Sequence, residues 1–345
     1  MFLNSINQFR GMAILFIVFA HVYRMAGWEI DTVTEGALFN LMMNGTVFFV
    51  FISGFLFHHV FHHRRGFGKY FGNKCKFVLL PYLLLSLPWI IWHLTSSEGP
   101  MFHQELAGID NPALAAGWYV ITGRTLTAYW YIPMGMMLFA LCPVFKWLTN
   151  KGWVIYTAIP LLIVAVYVHR PIGNLNAIQS LVYFLPIYLI GIWVSAHRDK
   201  AFPWMDRYWW LLLVVAIALA FIQSAFLEAG PMNKAAFEPG PPDLMLLQKL
   251  ALSLAIMALL NKLGEKEIPL FPQLADTSFA IYFIHPWITT PWWMIFDEPD
   301  LLGIQQYGGW VTAVLLTLVI TLISMLIAMG IKKLMGKRSR YLIGW

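Results

Sequence analysis

The chain has 345 residues, of which 59% are hydrophobic and only 12% charged, with a mean hydropathy of +0.67 and a formal net charge of +6. Soluble domains run near half apolar and a quarter charged, so this composition excludes an ordinary water-soluble protein and points to the membrane. The pI of about 9.2 reads as membrane topology and contact with anionic membrane lipid, and nothing in it argues for nucleic acid.

In chain order, apolar runs long enough to cross about 30 Å of hydrocarbon as helix are expected at 9–26, 38–57, 77–95, 129–148, 153–169, 179–196, 208–227, 244–260, 274–295 and 309–331. The expectation is an all-α, polytopic membrane protein, one bundle of ten helices in a single domain over 1–345. The first run follows no basic stretch and precedes no small-residue cleavage site, so it reads as a mature helix and not a signal peptide. Cys75 and Cys142 fall at different places and imply no disulfide. The longest loops, 96–128 and 228–243, carry Pro, Gly and Trp, as surfaces that fold over an entrance would.

Orientation follows from the basic residues. An inside N-terminus places Arg10, Arg64, Arg65, Lys69, Lys74, Lys76, Lys146, Lys151, Arg198, Lys200, Arg207, Lys262, Lys266 and the cluster Lys332 to Arg340 on the cytosolic side, most of the 23 basic residues. Both termini are then cytosolic. Glu29, Asp31, Glu35, Glu98, Glu105, Asp110, Glu228, Glu238, Asp243, Asp297, Glu298 and Asp300 fall in the opposite loops.

The first run is bracketed by Arg10 and His21. Eleven positions on a helix return to nearly the same face, roughly 16 Å along the axis, so the two share one stripe. A bland reading has Arg10 snorkelling to lipid phosphate and His21 packing on a neighbour. A functional one places them at two ends of a channel.

Four stretches then resemble one family. "RGMAILFIVFAH" in the first run, "VFFVFISGFLF" (Val47–Phe57), "KCKFVLLPYLLL" (Lys74–Leu85) and "SFAIYFIHP" (Ser278–Pro286) are similar, in order, to motifs of the acyltransferase 3 family of membrane-bound O-acyltransferases. Two positions differ from that pattern: Asn7 stands where members often have Asp, and no Arg immediately precedes the Pro-Tyr of the third run.

The resemblance implies an acyl group, most commonly acetyl, carried from cytosolic acetyl-CoA to a hydroxyl of an envelope glycan, exopolysaccharide or lipid-linked sugar at the cytoplasmic (inner) membrane. Arg10, with Lys74 and Lys76, would meet the CoA phosphates, and His21 would be the general base. Ser278, Tyr282 and His285 fall at i, i+4 and i+7 on one face and are expected to bind substrate; equally, His285 could satisfy a carbonyl freed by Pro286. Arg124, before the fourth run, is placed where a glycan phosphate or uronate could reach it, or where a salt bridge with an acid could form.

His58, His59, His62 and His63 include i, i+4 pairs but have no carboxylate beside them, and no metal is expected. Tryptophans near the predicted interfaces, Trp130 among them, read as aromatic belts. The competing class is a transporter or flippase of a glycan or small anion. Against it, neither paired broken helices nor an acid within a span is expected.

Overall fold

The computed structural model describes residues 4–63, 66–95, 109, 111–264, 266–295 and 308–345. Arg64, Arg65, Glu98, Glu105, Asp110, Asp297, Glu298 and Asp300, which enter the expected topology, lie outside them. Among the described residues the chain is helical, with one isolated bridge pairing Arg170 and Asn233.

Helix α1 (Asn4–Val22) runs on through a 3-10 turn, Tyr23–Ala26. Helices α2 (Val33–Met42) and α3 (Thr46–Leu56) share the second apolar segment, and α3 continues as a π-helical turn to His62. Helix α4 (Phe67–Lys74), a π-helical turn (Cys75–Leu79) and α5 (Leu80–Thr95) form the third. The remainder comprises α6 (Pro112–Thr122), α7 (Tyr131–Ala140), α8 (Cys142–Lys151), α9 (Val154–Val168), α10 (Ala177–Ala196), α11 (Arg198–Phe226), α12 (Leu244–Lys262), α13 (Phe271–Ile295), α14 (Trp310–Met335) and α15 (Arg340–Ile343).

Among the described residues, seven helices, or helices joined end to end, are long and apolar enough to cross a membrane, and eight if α7 and α8 count as one bent span. The chain is therefore a multi-pass helical membrane protein. Helix α9, with 15 residues, is short for a span. Helix α13, with 25, has the length but not the apolarity, because it carries Asp276, Thr277, Ser278, His285 and three prolines. Its residues from Ala280 to Phe283 are almost wholly buried, and so are His285 and Thr289. A helix wrapped by protein need not match lipid.

Three expectations fail in physically legible ways. The second segment is not continuous: it breaks at Met43–Gly45, where Asn44 takes a left-handed φ of 57°. Asn tolerates that region better than other non-glycine residues, and Asn-Gly is a turn signal inside an otherwise apolar run. The fourth segment bends by 52° between α7 and α8, where Pro143 enters the first turn of α8. An acid does lie within the expected run 274–295, since Asp276 sits near the start of α13, exposed, and attracts Arg10 electrostatically.

Close helix crossings set the frame. A β-carbon at Gly11 would lie 2.6 Å from the Phe271 carbonyl oxygen, so this glycine lets α1 and α13 touch backbone to backbone. The crossing of α3 and α10 is reciprocal: a β-carbon at Gly54 would sit 2.0 Å from the Tyr188 oxygen, and one at Gly191 2.2 Å from the Phe51 oxygen. At the end of the bundle holding the start of α1, Asn4 and Gln8 donate to the Lys266 carbonyl, and Gln8 accepts from Ile268 N.

Candidate functional site

Helices α1 and α13 run parallel and meet twice. Near the start of α1, Arg10 Nη2 donates to Ser278 Oγ at 3.2 Å, and Ser278 in turn donates to the Ala275 carbonyl at 2.8 Å. Three turns further on, the His21 and His285 rings face each other with centroids 5.4 Å apart. The shared stripe expected for Arg10 and His21 and the shared face expected for Ser278, Tyr282 and His285 are thus brought against each other.

His285 is fully buried. Its Nδ1 lies 2.9 Å from the Ile281 carbonyl and close to that of Tyr282, whose helical donor Pro286 removes. A carbonyl only accepts, so Nδ1 carries the proton and Nε2 of the neutral ring presents a lone pair. That Nε2 is buried and has no hydrogen-bond partner among the described residues. His21 is half-buried and lines an open cavity of about 600 Å³. Such a volume suits a small-molecule or sugar-sized group.

The cavity is walled by the broken second segment (Asn44, Gly45, Thr46), by Arg24 after α1, by the turn before α7 (Arg124, Thr127, Trp130), and by Phe279 and Tyr282 of α13. The loop 228–243 contributes Ala229, Gly230, Pro231 and Asn233 to the same lining. Tyr282 is held by donating to the Ala128 carbonyl at 2.6 Å, and Tyr129 donates to the Phe283 carbonyl at 2.9 Å, which pins the Arg124-bearing turn to α13.

Arg170, in the turn between α9 and α10, is a wall residue that sequence reasoning passed over. It is 8% exposed, with Nη1 donating to Asn44 Oδ1 at 3.3 Å and Nη2 to Asn174 Oδ1 at 2.7 Å, while its guanidinium lies 4.9 Å from the Trp130 ring centre. Trp130 is therefore a buried platform and not an interfacial belt residue. Asn44 and Asn174 both adopt left-handed φ, 57° and 59°, a backbone cost that places both carboxamide oxygens on Arg170. Behind them Asn44 Nδ2 donates to Tyr183 Oη at 3.3 Å, and Tyr183 donates to Asp243 Oδ2 at 2.8 Å. Burial pushes the Asp243 carboxyl above the usual carboxylate range, a shift the Tyr183 hydrogen bond opposes.

Lys249, also unremarked in the sequence, is fully buried in α12 and donates to the Leu41 carbonyl, with the Phe48 and Phe16 ring centres 5.3 and 5.6 Å away. It serves the carbonyl end of α2 where that helix stops, and so supports the break that opens the cavity wall.

The two lysines expected beside Arg10 separate. Lys74 turns inward, 4.1 Å from the Phe139 ring centre and near Arg10, whereas Lys76 is exposed. Residues two apart on a helix do not share a face. Of the histidine cluster, His58 and His62 stack, His63 meets both edge-on, and His58 Nδ1 meets Ser195 Oγ at 3.0 Å.

Fold and site together define a multi-pass helical membrane protein in which His21, backed by the buried His285, lines an open, arginine-bearing cavity. The chain belongs to the acyltransferase 3 family: the family's acyltransferase domain matches residues 3–329, essentially the whole chain. No curated protein and no solved structure matches it.

Proposed function

We propose that this acyltransferase moves an acetyl group from cytosolic acetyl-CoA to a hydroxyl of an envelope glycan or lipid-linked sugar, within the cytoplasmic membrane and with both termini in the cytosol. The observation that carries the reading is the double contact of α1 with α13, with Arg10 on Ser278 at one level and His21 on His285 about 16 Å further along. Arg10 and Lys74 would hold phosphate groups of the donor, and the pantetheine arm would run toward His21.

His285, protonated on Nδ1, offers Nε2 to accept a hydrogen bond from His21 and so leaves the other His21 nitrogen free as a base. An acceptor hydroxyl in the cavity would give its proton to that nitrogen as its oxygen attacks the thioester carbonyl. The new C–O bond forms, the C–S bond breaks, and the proton passes from the imidazolium to the departing thiolate.

The purified protein with acetyl-CoA and acceptor should release free CoA as acetylated sugar appears. Substrate flux with no thioester consumed would favour a transporter instead. Arg10→Ala should raise the dissociation constant of acetyl-CoA by roughly tenfold, measured by titration calorimetry, because a charged phosphate contact is lost. Unchanged affinity would remove Arg10 from donor binding.

Topology has its own test. A cysteine placed at Glu238, in the loop that contributes to the cavity lining, should react with a membrane-impermeant maleimide added to intact cells, and one at Arg198 should not. Glu105 and Asp110, expected on the same side as Glu238, lie outside the described residues. The reverse labelling pattern would invert the orientation and put the donor at the other end.

A further inference from the structure

We infer that the acceptor is an acidic sugar, one bearing a phosphoryl or carboxylate group, and that this acid is seated by Arg170, Arg124 and Arg24 in the cavity above His21. The inference rests on the proposed entry of the acceptor into this cavity and goes beyond it by naming the acceptor's chemical class.

Charge and geometry carry it. Three guanidinium-bearing residues line one cavity, and no aspartate or glutamate lines it among the described residues. Arg170 is more than nine-tenths buried, yet its named acceptors are two neutral carboxamides, Asn44 and Asn174, and its Nε has no partner among the described residues. A buried cation ordinarily has a counter-charge. Asp243 attracts Arg170 electrostatically from behind Tyr183 but is not part of the cavity lining, and it accepts from Tyr183 Oη and, at 3.2 Å, from the Leu246 amide at the start of α12. Asn44 and Asn174 hold the Arg170 fork beside the Trp130 ring, which fixes its direction through neutral acceptors and leaves its cavity side without an acid.

The broken second segment adds to the same field. Helix α3 begins at Thr46, which lines the cavity with Gly45, so the positive end of an 11-residue helix faces the same space. These groups lie on the His21 side, whereas Arg10 and Lys74 sit about three helical turns away. Two separate cationic sites match a donor and an acceptor that each carry negative charge.

The test uses the full chain in lipid nanodiscs and titration calorimetry with glucose 1-phosphate, glucuronate and glucose. Both acidic sugars, or one of them, should bind about tenfold or more tightly than glucose, with the preference shrinking as salt rises. The tighter of the two identifies the acid as phosphoryl or carboxylate. Arg24→Gln and Arg124→Gln should each reduce the preference roughly fivefold without changing glucose binding, and Arg170→Lys, which keeps charge but loses the fork, should do the same. Should Arg170→Lys fail to fold, the two other variants decide the matter.

Equal binding of the charged and neutral sugars overturns the inference, as does displacement of the acidic sugars by CoA in the Arg10→Ala protein, which would assign the arginines to the donor. His21→Gln should retain the acidic preference. A wild-type chain that shows the preference but releases no CoA would refute acyl transfer and leave the acid site standing.

Discussion

Replacement of His21 by Gln should leave the protein folded and able to bind acetyl-CoA while lowering acyl transfer by roughly 10²-fold or more. Glutamine keeps much of the size and can still donate to His285 across the gap now spanned by two rings 5.4 Å apart. It cannot take a proton at neutral pH. The loss should therefore appear in kcat with little change in donor affinity, because the missing interaction belongs to the transition state. His285→Gln should cost less, since an amide can still accept from His21, and the two changes together should cost little more than His21→Gln alone, as expected of groups that act as a unit. Near-normal turnover by a folded His21→Gln protein would show that His21 only packs. The base would then have to be sought at His285.

How much of this was legible in the sequence depended on whether the signal was local. The spacing of Arg10 and His21, and that of Ser278, Tyr282 and His285, follows from helical periodicity, and both faces are where the period puts them. That these faces meet is a tertiary fact. Gly11 permits it, but a glycine in an apolar run does not say which helix will approach. Arg170 escaped notice because it follows α9 in a short turn and resembles any flanking cation. Only the folded chain sets it, with Asn174 of the same turn, beside Asn44 and Trp130, which come from two other parts of the sequence. The break at Asn44 did have a local mark, the Asn-Gly pair, which the hydropathy of residues 38–57 outweighed. Hydropathy also treats every span as lipid-facing, so it does not show that α13, which carries an acid and a histidine, is an interior helix.

Substitution of Gly54 should disturb the fold more than any other single methyl addition between α3 and α10. A β-carbon there would lie 2.0 Å from the Tyr188 carbonyl oxygen and 2.8 Å from its carbon, both backbone atoms that no rotamer change can move. Relief requires the two helices to part by about 1 Å or more, and the reciprocal notch at Gly191 against the Phe51 oxygen opens with them. Overpacking of this kind typically costs about 1–3 kcal/mol, with further loss of the close dispersion and Cα–H···O contacts along the crossing. Gly54→Ala should thus lower the melting temperature in detergent, and Gly54→Leu should prevent recovery of folded protein. The damage should also reach the cavity, because α10 carries Tyr183, whose hydroxyl joins Asp243 to Asn44 and through it to Arg170. Gly54→Ala protein that remains folded should therefore bind acidic sugars less well than wild type. Gly117→Ala is the control: it adds the same methyl where nothing lies within 4 Å, on an α-helix that favours alanine over glycine, and should not lower the melting temperature. If Gly54→Ala melts no lower than Gly117→Ala, α3 and α10 do not cross backbone to backbone at this point, and the cavity wall must be braced by other contacts.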